Sequence, residues 1–273
     1  MSRLALVAAL VLASGSAALL ARPPEARRDV ETSIRSGGTL LVCVVSNYAG
    51  INLRDPRTGR LSGLDIEMSK RFAKELGVKA EYVETDFREF TRDLENSRCH
   101  IAMMGIWISQ GRAARVDFAA PYLASGAYVA VARANRQLRN WSDVNRPETT
   151  VAVLDTPDLM QRSSRVLPEA TLVALKPTGR DFRGSAAAEV MSGRSDALIV
   201  DHSMAAALRR NDTWARLISP PRFIPLAEIA YAVPKGEPRW LATVNDFVSR
   251  IKTDGSLRQA ADRYGLKEMS VPR

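Results

Sequence analysis

An α/β chain of two lobes, each a mainly parallel sheet flanked by helices and joined by two extended crossings, is the fold class the sequence predicts. Three observations carry it. Strand and helix signals alternate along the chain, the alternation falls into two separate series, and extended apolar stretches stand between them. The chain has 273 residues, 46% hydrophobic and 25% charged, enough to build a real core in one large or two ordinary domains.

In the first series, Thr39 to Val45 is a continuous apolar run with β-branched residues, the pattern of a buried parallel strand. A turn follows at Asp55-Pro56-Arg57-Thr58-Gly59. Leu64, Met68, Phe72 and Leu76 then recur every fourth residue and Gly77 supplies a helix stop. Residues 78–83 predict a second strand, Phe87, Phe90 and Leu94 a second helix, and 101–104 a third strand. The second series begins with a strand over 150–154. Thr156-Pro157 opens a helix with a capping hydroxyl and a proline at the first helical position. A strand over 171–175, a helix over 185–192 ending at Gly193, and a strand over 197–200 complete it. The crossings are predicted at 127–132 and 229–233, and 240–264 as two helices broken at Asp254-Gly255. Two such lobes suit a cleft that hinges shut over a ligand. Parallel sheets of this kind place ligands at the carboxyl ends of their strands.

The first 21 residues are set apart from the fold. Arg3, the apolar run 4–13 and the small residues 14–18 have the pattern of a secretory signal peptide, with cleavage open after Ala17, Ala18 or Ala21. The run is too short for a membrane-spanning helix, which needs about 20 apolar residues. The expected organisation is a signal peptide (1–21), an N-terminal leader (22–37), lobe 1 (38–125 and 234–273) and lobe 2 (126–233), with the mature protein in the periplasm. Cys43 and Cys99 are the only cysteines and both fall in strand regions of lobe 1. In an oxidising compartment such a pair predicts a disulfide, with two buried free thiols as the alternative.

The net charge of +9 raises nucleic acid or an anionic membrane as partners. The basic residues are scattered, as at Arg54, Arg57 and Arg60 or Arg209 and Arg210, and do not alternate with aromatics, so no nucleic-acid partner is expected. His100 and His202, the two histidines, lack metal-ligand spacing. Gly105 and Gly111 do not form a phosphate loop. No metal or cofactor is expected.

Several stretches resemble the periplasmic solute-binding proteins of polar amino acid importers, family 3 of the bacterial solute-binding proteins. They are residues 59–67 (GRLSGLDIE), 74–78 (KELGV) and above all 109–122 (SQGRAARVDFAAPY), with 193–197 (GRSDA) and Asp201 in the second series. The resemblance covers 38–266. It implies the two-lobed periplasmic-binding-protein fold, a monomer, and an inner-membrane ABC permease as partner. It also implies a site. A zwitterionic amino acid needs a forked cation and an anion facing each other. Arg112 matches the family's carboxylate-binding arginine, whose guanidinium bonds both oxygens at once. Ser109 matches an assisting hydroxyl and Asp201 the receiver of the ammonium. Phe87 and Tyr48 match aromatic walls. Asp65 reads as a cap of the following helix.

The chain also departs from the family. Ala49-Gly50-Ile51 replaces a Pro-Pro-aromatic run. Trp107 stands where a small residue is usual, so its indole either reshapes the pocket or stacks on the ligand. Asp155-Thr156-Pro157-Asp158 replaces a small turn whose helix N-terminus would attract a carboxylate. Two other functions compete. Cyclohexadienyl dehydratase-like enzymes share the scaffold and need a proton donor in the cleft. Met204 stands where their acid falls, which leaves His202 and Glu228 as possible acids. Accessory proteins of periplasmic quinoprotein dehydrogenases also share the fold, and some look similar around Cys43 and Cys99. Solute capture without catalysis is the expectation.

Overall fold

The computed structural model describes residues 29–176, 182–211 and 213–269. The signal-like segment, Arg22, Arg27 and Arg28 lie outside them. Among the described residues, no helix is long and apolar enough to cross a membrane.

The first lobe is built on β1 (Thr39–Val44), the apolar run of the sequence. It pairs in parallel along its whole length with β5 (Lys79–Glu84), and on its other side with β6 (Ile101–Ala102). The sheet continues through β15 (Ala232–Pro234) to β7 (Val116–Phe118), in the order β5-β1-β6-β15-β7. Helix α2 (Leu64–Leu76) buries Leu64, Met68, Phe72 and Leu76 against it and ends at Gly77, whose φ of 74° a side chain would resist. Helix α9 (Pro238–Thr253) stacks Trp240 and Phe247 on Phe72, with ring centroids 5.4 and 4.5 Å apart. Burying rings of this size is worth roughly 1.5–3 kcal/mol each. Cys43 of β1 and Cys99, just before β6, form a disulfide in a second core of this lobe, with Phe90, Leu94 and Met104. Their separation of 56 residues closes a long loop, worth roughly 2–4 kcal/mol.

The second lobe repeats the plan. Strands β10 (Thr150–Leu154), β11 (Thr171–Leu175) and β12 (Ala197–Val200) are parallel, and β9 (Tyr128–Ala132) and β13 (Ala215–Ile218) complete the order β11-β10-β12-β9-β13. Helices α6 (Pro157–Val166), α7 (Phe182–Met191) and α8 (His202–Asn211) flank it. In each sheet one strand runs against the other four, β15 in the first and β9 in the second. Each is the first strand after the chain arrives from the other lobe.

Those arrivals correct the predicted crossings. The crossing strands are β8 (Leu123–Gly126) and β14 (Pro225–Ile229), which form a two-stranded sheet of their own. Residues 128–132 and 232–234 already belong to the two sheets. The sequence Leu-Ala-Ser-Gly of β8 carries little strand signal, whereas the apolar sheet strand after it carries a strong one, so the pattern pulled each crossing toward the wrong segment. A second correction concerns the leader. Residues 30–37 form helix α1 (Val30–Gly37), capped by Asp29 through the Thr32 amide at 3.0 Å, with Ile34 fully buried in the first core. Eight residues with a single buried anchor leave no periodicity to read.

Candidate functional site

Strand ends determine where the site falls. The chain leaves β1 at Asn47 and Tyr48, β6 at Gly105 and Trp107, β10 at Leu154 and Thr156, and β12 at Asp201. All of these line one cleft of about 530 Å³ between the lobes. The six residues expected at the site, Arg112, Asp201, Ser109, Phe87, Tyr48 and Trp107, all lie in its wall.

Arg112 sits on α4 (Gln110–Ala113), a single turn started by Ser109, whose Oγ accepts the Arg112 backbone N–H at 3.4 Å. Ser109 thus caps the helix that carries the guanidinium. Nη1 donates to the Trp107 carbonyl at 3.0 Å, and the guanidinium lies over the rings of Phe87 and Phe90 at 5.8 and 5.7 Å. One edge of the fork is held and its face is stacked, an arrangement that aims the remaining donors. Burial pushes the group below its usual pKa, while the Asp158 carboxylate works in the opposite direction.

Across the cleft, Asp201 follows β12. Its Oδ1 accepts the Met204 amide at 2.8 Å, tying the carboxylate to the first turn of α8. Burial raises its pKa, and the Met204 and Ser203 amides partly offset this. Tyr48 spans the gap, its hydroxyl 2.7 Å from Ser203 Oγ on the opposite lobe. That hydroxyl is pushed up by burial and then by the Asp201 charge. Phe87 meets Tyr48 edge-on at 6.2 Å and stays partly exposed. Trp107 packs against cores of both lobes and its backbone bridges to Ile229, so the bulky indole works as part of the junction.

The α6 end of the cleft differs from a carboxylate cradle. Thr156 Oγ1 takes the Leu159 amide at 3.3 Å and Pro157 has no amide to offer, so two of the first donors are lost. Asp158 adds a negative charge that acts on Arg112. Arg162, one turn along, donates to the Ile108 carbonyl at 2.6 Å and to the Leu226 carbonyl at 3.4 Å, tying α6 to the junction. Sequence reasoning passed over Asn47 and Arg162. Asn47 was findable as the neighbour of Tyr48 at a strand end; Arg162 was one arginine among many.

Asp65 does not cap its helix. The N-cap of α2 is Gly63 with no side-chain bond, and the Asp65 carboxylate is wholly buried beneath the cleft. His202 and Glu228, the acids offered for a dehydratase, do not line the cleft. His202 is buried beside Glu268, at 3.6 Å, and Glu228 is exposed on β14.

Comparison with known proteins agrees with this architecture. Residues 40–267 match the model of the bacterial extracellular solute-binding proteins, family 3. The L-cystine-binding protein TcyJ of Escherichia coli K12 is 26% identical over 235 residues, 85% of this chain and 84% of that protein. The cyclohexadienyl dehydratase of Pseudomonas aeruginosa PAO1 is 25% identical over 261 residues, 93% of each. The crystal structure of an ancestral amino acid-binding protein, a precursor of cyclohexadienyl dehydratase, superposes with a TM-score of 0.62 at 28% identity, over 86% of this chain and 99% of that one. A match across 40–267, on two sheets of one plan with a cleft at their strand ends, assigns this chain to the family 3 extracellular solute-binding proteins of bacteria.

Proposed function

We propose that the protein is exported to the periplasm, where it captures a small polar solute of amino-acid type in the interlobe cleft and presents it to an ABC importer. One observation carries the reading: the Arg112 guanidinium of the first lobe and the Asp201 carboxylate of the second line the same cleft, so a zwitterion engages both only when the lobes approach. Three aromatic rings, Tyr48, Phe87 and Trp107, exclude water around that pair. The named ligands of the cystine-binding and ancestral amino acid-binding relatives support the class. The first test is a thermal-shift screen of the chain from Asp29 onward against the proteinogenic amino acids and L-cystine. Ligands that bind only the folded state raise the Tm by mass action. Shifts with a few amino acids that vanish in Arg112→Ala support capture, and a flat response across the panel sinks it.

Similarity along 93% of the Pseudomonas dehydratase favours a second reading, an enzyme acting on prephenate or arogenate. Met204 cannot donate a proton, and neither His202 nor Glu228 reaches the cleft. Among the described residues, the acids that line it are Asp158 and Asp201. Incubation with prephenate decides the matter: turnover that survives in the wild type and disappears in Asp201→Asn makes the protein an enzyme.

A further inference from the structure

Beneath the cleft, and outside its wall, lies the buried carboxyl of Asp65. Asp65 Oδ2 accepts the Gly105 amide at 2.9 Å and the Tyr122 hydroxyl at 2.7 Å. Asp65 Oδ1 and the Tyr231 hydroxyl are both buried, and the two groups interact electrostatically without reaching the geometry of a full hydrogen bond. Each of these contacts leads to a working part. Gly105 lines the cleft at a φ of 70°, and a Cβ there would stand 2.8 Å from the Tyr48 ring, so its backbone is the seat of Tyr48. Tyr122 immediately precedes the crossing β8, and Tyr231 follows the crossing β14 by two residues. Their rings stack at 4.1 Å, and the Tyr122 amide donates to the Ile229 carbonyl at 2.9 Å. A buried carboxylate is costly unless its bonds are made, which argues for a task beyond filling space.

We propose that Asp65 is a positioning residue for solute capture, holding in one carboxyl both the backbone that seats Tyr48 and the root of the crossings on which the lobes swing. Removing the Tyr122 hydroxyl cuts the link to the hinge while keeping the ring stack. Asparagine at 65 keeps an acceptor for Gly105 and Tyr122 and places its NH2 beside the Tyr231 hydroxyl, which can accept.

The inference rests on the capture reading, so its test has one arm that needs no ligand. Nitroxide labels at Lys74→Cys and Ser192→Cys, on exposed sites of the two lobes, report the interlobe distance by pulsed electron resonance. In the ligand-free protein, Tyr122→Phe and Asp65→Ala are expected to broaden the distance distribution, and Asp65→Asn to restore it. In the second arm, affinity for L-arginine, L-glutamine and L-cystine is measured. For those that bind the wild type, Tyr122→Phe should lose about tenfold, the scale of one buried hydrogen bond, with Asp65→Asn near the wild type. If Asp65→Ala does not fold, Tyr122→Phe carries both arms alone. A folded Tyr122→Phe protein with the wild-type distance distribution overturns the inference. Failure of the wild type to bind any of the proteinogenic amino acids or L-cystine removes the capture reading instead, and the distances still decide the role of Asp65.

Discussion

The two lobes share a strand order but not a filling. The largest fully buried side chains, among them Trp240, Tyr122, Tyr231, Phe72, Phe90 and Phe247, all belong to the first lobe or its junction. The buried hydrophobic residues of the second lobe are Val, Leu, Ile and Ala with one ring, Tyr128, while Trp141 and Trp214 pack on them only partly buried, and the β11 edge of its sheet leaves Val173 exposed. The first lobe also holds the disulfide and the buried Asp65 anchor. Their contributions to the cleft divide the same way. The first lobe supplies the aromatic surface and the Arg112 guanidinium; the second supplies the acids Asp158 and Asp201 and the Thr156 hydroxyl, together with Leu154, Leu159 and Arg162. A stiff lobe that shapes the ligand and a lighter lobe that closes charge over it is the division of labour this suggests.

Arg112→Ala breaks that comparison hardest. Losing the forked cation while Asp201 remains should cost any amino acid ligand roughly 2–5 kcal/mol of affinity, measured by titration calorimetry, with Tm little changed. Next comes the disulfide. The double variant Cys43→Ala, Cys99→Ala should lose roughly 2–4 kcal/mol of stability, with hydrogen exchange rising in β1 and β6 while β10 and β12 keep their protection. Equal loosening of both lobes would contradict the unequal framework.

A third experiment reads Asp65. Burial raises its carboxyl to about 7 from an ordinary 3.8, and the titratable groups facing it are the phenols Tyr122, Tyr231 and Tyr48. The folded state therefore favours the protonated acid. The stability this contributes is complete below about pH 4 and is lost as pH rises through 7. Asp65→Asn should gain on the wild type by up to a few kcal/mol between those limits and stay level above them, as seen in urea unfolding across pH. The smallest effect is expected at Asp158. Its carboxylate competes for Arg112, so Asp158→Asn should tighten binding of neutral amino acids by about 1 kcal/mol or less, the worth of an exposed charge pair. Weaker binding of L-arginine in the same variant would sharpen the picture, by making Asp158 a seat for a ligand cation.

Much of this was legible in the residues, for identifiable reasons. The run of β1 and the fourth-residue repeat of α2 are local patterns that a sheet and a helix must satisfy before any tertiary contact forms. Arg112 and Asp201 were legible through the resemblance of residues 109–122 and of 193–197 with Asp201 to the family, which implies a forked cation and an acid at those positions. Asp65 was misread because an acid near a helix start has a common local use, and only the arrival of Tyr122 and Gly105 from distant segments reveals another. Ser109 was read as a ligand group; its hydroxyl caps α4, a use that shows only once the turn of that helix is formed.

Periodicity and turn residues were enough to read the order of strands and helices and the two-lobe plan, while six residues of the cleft wall came from the resemblance to the family. The tertiary structure alone decided where the chain crosses between lobes, that Cys43 reaches Cys99, that Tyr48 touches Ser203, and that Asp65 joins the hinge to the cleft. Each of those depends on segments far apart in the chain meeting at one point, and local pattern carries no record of such meetings.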